Sequence, residues 1–142
     1  MKVVIFEKQS SNVDMEQKVT NGIKISVKTR YNGAVNKGDS EFQTFSYYIT
    51  IENNTSDTVQ LLDRFWEISD ALNDKEFVEG EGVIGQKPIL EPEGFYTYKS
   101  NCFLFSTSGS MKGNFTMINL ETQKKFKVTI PTFQLTSTAL LN

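Results

Sequence analysis

Ile23-Lys24-Ile25-Ser26-Val27-Lys28-Thr29-Arg30-Tyr31 alternates apolar and polar residues without a break. A side-chain period of two belongs to an extended strand with one face buried, because a helix would space its apolar residues three and four apart. Residues 19–31 therefore read as one half-buried strand, with Ile23, Ile25, Val27, Thr29 and Tyr31 on its inner face. Beyond the Gly38-Asp39-Ser40 loop the pattern returns, with Phe45, Tyr47, Ile49 and Ile51 set against Ser46, Tyr48, Thr50 and Glu52. Asn53-Asn54-Thr55-Ser56-Asp57 then supplies the turn chemistry that ends a strand.

A third strand is predicted over 59–69, but its alternation is broken. Leu61 and Phe65 share one parity, whereas Leu62, Trp66 and Ile68 share the other. Two origins fit: a central strand apolar on both faces, or a bulge that shifts register part-way. Further strands are expected at 76–84, 95–105, 113–119 and 125–130, where Pro131 removes a ladder donor before Phe133-Gln134-Leu135. A turn around Ser69–Asp74 is the one place with a helical look. Many short strands set off by turns predict an all-β antiparallel sandwich. Eleven Phe, five Tyr and one Trp suit that pleated, half-buried surface. Residues 1–18 are expected to add an edge strand or a loosely docked arm to a domain spanning 19–142.

Composition excludes more chemistry than it supplies. The chain has no histidine and one cysteine, Cys102, which removes Ser-His-Asp and Cys-His machinery, intrachain disulfides and His/Cys metal sets. Cys102 precedes Phe103-Leu104-Phe105, a setting for a buried, inert thiol. Asp70, Asp74, Glu79 and Glu81 would be the ligands of any all-oxygen metal site, but solvated surface charge is the better reading. A net charge of −2 gives no electrostatic reason to expect nucleic acid or an anionic membrane. No apolar run approaches a bilayer span, and the short apolar patch near Met1 lacks a cleavage site, so a cytoplasmic location is expected. No cofactor and no catalytic residues are predicted.

Gly80, Gly82 and Gly85 spell G-x-G-x-x-G. In a dinucleotide fold that motif joins a strand to a helix, yet here Pro88 follows within three residues and the flanks are strand-like. Two readings are open. The glycines serve a tight turn or bulge that needs positive φ, or their amides form an anion-binding nest aided by Lys87 and Lys112. Arg64 and Trp66 are the candidate partner-binding pair, against a core tryptophan covered by the arginine stem.

Several motifs in order carry a resemblance. The run Arg64-Phe65-Trp66-Glu67-Ile68-Ser69-Asp70 resembles the ApaG family's Arg-x-Trp-x-Ile-x-Asp strand, and Gly80-Glu81-Gly82-Val83-Ile84-Gly85 resembles its Gly-x-Gly-Val-x-Gly loop. Tyr98-Lys99-Ser100, Gly109–Gly113 and Ile130-Pro131-Thr132-Phe133-Gln134-Leu135 are similar to further family motifs. Pro92-Glu93-Gly94 departs from the family's Pro-Gly turn by one residue, and Ala71–Asp74 replaces an Asp-Gly type turn. The resemblance implies an immunoglobulin/fibronectin type III-like sandwich without settled biochemistry. Its bacterial members are associated with diadenosine tetraphosphate hydrolase genes and labelled cobalt and magnesium efflux proteins. Related eukaryotic domains are inferred to bind proteins. The expectation is a non-catalytic module for an unidentified protein partner, with homodimerisation through a sheet edge as a variant. The alternative is a phosphate, pyrophosphate or nucleotide-binding domain centred on 80–87, linked to ion homeostasis only indirectly.

Overall fold

The computed structural model describes residues 15–137, and every described element is a β-strand. The strands are β1 (Met15–Thr20), β2 (Ile23–Lys37), β3 (Ser40–Asn53), β4 (Val59–Asp70), β5 (Glu76–Glu81), β6 (Ile89–Leu90), β7 (Phe95–Leu104), β8 (Ser108–Asn119) and β9 (Lys124–Thr136). They form two antiparallel sheets, a four-stranded one ordered β1-β2-β3-β7 and a five-stranded one ordered β5-β4-β8-β9 with β6 also paired to β4. This is the fibronectin type III-like sandwich that the resemblance implied. The turn of helix considered near Ser69–Asp74 does not form, because β4 continues to Asp70 and the chain then turns through Ala71–Asn73. Among the described residues no helix is long and apolar enough to cross a membrane.

Alternation predicts the core well. Ile23, Ile25 and Val27 of β2 and Phe45, Tyr47, Ile49 and Ile51 of β3 are buried against Leu61, Trp66, Met111, Phe115, Met117, Val128, Ile130 and Phe133 of the facing sheet. At about 25 cal/mol per Å² of apolar surface, these side chains are the main drive for stacking the sheets. Tyr47, Trp66 and Phe133 meet as an aromatic trio, with ring centroids 5.4–5.8 Å apart.

Several strand boundaries differ from the sequence reading; β2 runs on to Lys37, and the strand expected over 76–84 ends at Glu81, where the Val83–Gln86 hairpin begins. The run 19–31 is not one strand. Asn21 and Gly22 both have positive φ and turn the chain back, so Val19 and Thr20 end β1 while Ile23 begins β2. An Asn-Gly pair with that geometry is the favoured two-residue hairpin turn. Met15–Lys18 therefore lie in edge strand β1, and residues 1–14 lie outside the described residues. β8 starts at Ser108, earlier than expected. β9 does not stop at Ile130: Pro131 and Thr132 bulge opposite Lys112, and the strand resumes with Phe133 and Leu135 buried. Proline is tolerated there because β9 is an edge strand and the bulge needs no donor.

The Glu91–Gly94 turn is closed by a bond from Gly94 N–H to Glu91 O at 2.8 Å, and Glu93 occupies the left-handed region (φ 71°). Proline at the second position and positive φ at the third are the type II arrangement, so the extra residue relative to the family pattern is absorbed as a regular turn.

Asp70 ties the end of β4 to the β7–β8 connection. Its carboxylate accepts the Phe105 amide at 2.6 Å, the Ser106 amide at 3.2 Å and the Ser106 hydroxyl. Burial acts to raise its pKa, but bonds from Ser106, Phe105 and Leu72 outweigh it and hold the carboxyl below the usual range. A depressed carboxyl contributes stability that is complete above its unfolded value, about 4, and is lost as pH falls through the folded value. Asp70→Asn should cost about 1–2 kcal/mol near neutrality. It should also shrink the stability difference between neutrality and strongly acid solution, as measured by urea unfolding at both.

Candidate functional site

β4 decides what faces the interior. Val59 and Leu61 point inward; then the register against β8 shifts between Leu61 and Asp63, leaving Leu62 as an extra residue. Beyond that bulge the even-numbered positions face inward, which places Arg64 and Trp66 on the core side. The bulge expected as one origin of the broken alternation is present, and β4 is also central in its sheet.

Arg64 lies across β5. Its cross-strand partner is Gly80, where an added Cβ would sit 2.8–2.9 Å from the guanidinium atoms. The missing side chain at Gly80 thus makes the bed for Arg64. Nη1 donates to Glu81 O at 3.0 Å and Gly82 O at 2.9 Å. The glycine-rich segment is fastened to β4 at further points: Gly82 N–H to Leu62 O at 2.7 Å, Leu61 N–H to Pro88 O at 3.0 Å, and Gln60 Nε2 to Lys87 O at 3.1 Å.

Within the loop, Val83 and Gln86 exchange backbone bonds of 2.8 and 2.9 Å around Ile84-Gly85, both at positive φ. This is a two-residue hairpin of type I′ character. Gly82 also has positive φ (63°), and a Cβ there would lie 2.3 Å from Gln86 O. The glycines at 80, 82 and 85 thus serve arginine packing, a close backbone approach and a hairpin turn.

The residues named for anion binding do not converge. The amides of Gly82, Val83 and Gln86 already donate to carbonyls. Lys87 Nζ pairs with Glu81 at 3.1 Å. Lys112, on β8, lies with Glu67 at 3.7 Å, away from the loop. Glu67 also holds Lys75 at 3.1 Å, and that contact, helped by Lys112, keeps its carboxyl below the ordinary range. Of the proposed partner-binding pair, Trp66 is 3% exposed and wedged between Tyr47 and Phe133, so it has no surface to offer. Arg64 is half-buried and does reach a cavity. Cys102 is buried, and burial, with Glu76 and Asp70 adding to it, pushes the thiol up to about 12. Among the described residues, no three acidic, His or Cys side chains group to hold a metal ion.

Sequence reasoning missed the two phenols beside Arg64. Tyr47 and Tyr98 line the same cavity as Arg64, Trp66 and Ser100. Their inward parity on β3 and β7 was the available signal.

Gly82→Ala should lower stability by about 2 kcal/mol or more through strain and overlap. Lys87→Ala, which removes only an exposed ion pair, should change it by less than about 1 kcal/mol. Denaturant titration of both variants checks the contrast.

Comparison with known proteins agrees with this geometry. The ApaG domain model matches residues 34–119. Protein ApaG of Brucella suis biovar 1 is 38% identical over 121 residues, covering 85% of this chain and 92% of its own length. Protein ApaG of Brucella anthropi is 40% identical over the same coverage. An X-ray structure of a Northeast Structural Genomics Consortium target superposes with a TM-score of 0.80 at 34% identity, over 86% of this chain and 92% of that one. A Bordetella pertussis protein given the name ApaA superposes with a TM-score of 0.71 at 31% identity, over 84% and 94%. This chain belongs to the ApaG domain family.

Proposed function

We propose that the protein is a non-catalytic binding module that takes an extended segment of a partner protein onto the free edge of β7. The observation that carries this reading is the state of that edge. β7 runs ten residues, Phe-Tyr-Thr-Tyr-Lys-Ser-Asn-Cys-Phe-Leu, with one charge and no proline. Its register with β3 is unbroken from Phe95 to Leu104. Among the described residues no strand pairs with its other side.

The remaining edges are protected in the ways that normally discourage strand addition. β1 packs against β9, where Thr129 N–H reaches Thr20 Oγ1 at 3.3 Å. β9 carries the Pro131 bulge and Lys124, Lys125 and Lys127. β5 is six residues long and bears Glu76, Glu79 and Glu81. β7 exposes Phe95 and Phe103, at 69% and 56%, on its outer face; β5 and β1 also expose apolar side chains, Phe77 and Val19, but lack its length or its open edge. Main-chain bonding for affinity and alternate side chains for selectivity are the terms of strand-addition recognition.

Catalysis is a poorer reading. The chain holds no histidine, and its one thiol is buried with a raised pKa. Phosphate held by the 80–87 loop itself is also poorly supported, because the amides of residues 82, 83 and 86 and the Lys87 ammonium are already engaged.

The β3 ladder fixes the test. Asn53 N–H bonds Gly94 O, so stepping by two along the register turns the amides of Tyr96, Tyr98, Ser100 and Cys102 toward β3. The amides of Phe95, Thr97, Lys99, Asn101 and Phe103 then face outward. Thr97→Pro deletes one outward donor and leaves the backbone ladder with β3 intact, losing besides only the exposed hydroxyl contact with Thr50. Proteins captured by the wild type from its own cell lysate should bind this variant roughly tenfold less or weaker still. The outward amides should become protected from hydrogen exchange in the complex. Equal capture by the two forms, or no protection, would sink the reading. Concentration-dependent dimerisation lost in Thr97→Pro would identify a second copy as the occupant.

A further inference from the structure

The two seams of the sandwich differ. The β1–β9 side is closed by packing, whereas between β5 and β7 lies a cavity of about 270 Å³. Arg64, Tyr47, Tyr98 and Ser100 line it together with Glu81, and the Ile84-Gly85 turn forms part of its rim. Two features of this lining are not explained by the fold.

The first is Tyr98. The residue is 8% exposed, its hydroxyl is buried, and that hydroxyl has no hydrogen-bond partner among the described residues. A buried unpaired polar group costs about 1–3 kcal/mol, so the oxygen adds nothing to packing that phenylalanine would not give.

The second is Arg64. A guanidinium has five N–H donors, yet only Nη1 is engaged, by the carbonyls of Glu81 and Gly82. Among the described residues no carboxylate lies within ion-pairing distance of it. The Glu81 carboxylate in the same lining is countered by Lys87. Arg64 therefore keeps unengaged N–H donors in a cavity whose one carboxylate, Glu81, is paired with Lys87, while Glu76 lines the adjoining space beside Arg64 and Ser100 without pairing with the guanidinium. Burial, with help from Tyr47, raises the Tyr98 phenol far above its ordinary value, so it stays a neutral O–H, and Arg64 is near enough to act in the opposite sense. Tyr47 is likewise raised by burial, with Ser100 and Arg64 among the opposing influences.

We infer that Arg64 and Tyr98 form a binding site for a small oxyanion, a carboxylate or phosphate group entering between β5 and β7. The free guanidinium donors and the phenol hydroxyl are the recognising groups, because charge-assisted bonds to an oxyanion are the strong ones. This site differs from an amide nest in the glycine-rich loop, which here holds Arg64 in place and borders the cavity. The inference does not depend on strand addition. Tyr98 and Ser100 belong to β7, however, so a carboxylate from a docked segment is one source and a free phosphate compound the other.

Trp66 lines the same cavity and is the only tryptophan in the chain, so its fluorescence reports on the site. The experiment titrates sodium acetate and, separately, inorganic phosphate at constant ionic strength, with chloride as reference. A saturable change is expected with at least one of them. Acetate alone would identify a carboxylate as the natural group, and phosphate alone a phosphate compound. Tyr98→Phe should raise the apparent Kd about tenfold, the effect of one bond to a charged group, while leaving the melting temperature unchanged or higher. Arg64→Met should abolish the response. If that variant does not fold, Tyr98→Phe and the shift of the wild-type Arg64 Nε–H resonance on titration decide. No saturation beyond chloride, or a response unaltered in Tyr98→Phe, would overturn the inference.

Discussion

One extra residue in β4 organises the half of this sandwich that lies between β5 and β7. Strand side chains alternate strictly, so inserting Leu62 against β8 exchanges the inward and outward faces for everything that follows. Before the bulge β4 presents Val59 and Leu61 to the core; after it, Arg64 and Trp66. Without the shift, Asp63 and Phe65 would face inward, and the cation would be spent on solvent.

The glycine-rich segment follows from that placement. An inward arginine near a sheet edge needs a partner strand without a side chain and carbonyls to receive its N–H groups. Gly80 provides the first, and Glu81 and Gly82 the second. The Leu62 carbonyl meets Gly82 N–H as a continuation of the β4–β5 register, so the loop is anchored beside the cation it covers. Spacing alone resembles a cofactor fingerprint, but these glycines answer to sterics within the protein.

Most of the core was legible because it rests on period-two patterning, which local sequence carries directly. Ile23 through Val27 and Phe45 through Ile51 are buried as alternation requires. The broken parity between Leu61 and Trp66 likewise announced a bulge. Legibility fell where one local signal hid another. Apolar alternation running through Val19 masked the Asn21-Gly22 hairpin, and Pro131 suggested a strand end where an edge strand could absorb it as a bulge. The candidate site was legible in part. Arg64 stood out, but Tyr98 became its neighbour only through the pairing of strands distant in sequence, and its unpaired hydroxyl is a property of three-dimensional enclosure. Lys112 shows the converse, a plausible charge by composition that register places beside Glu67.

The unequal seams also have a mechanical meaning. Where β1 and β2 lie against β9, separating the sheets would break cross-sheet packing along a continuous line. Along β5 and β7 the same displacement meets a cavity and exposed edges. Contact across the two sheets is therefore continuous at the β1–β9 seam and interrupted beside Arg64, so the β5–β7 side has less packing to lose in any local opening.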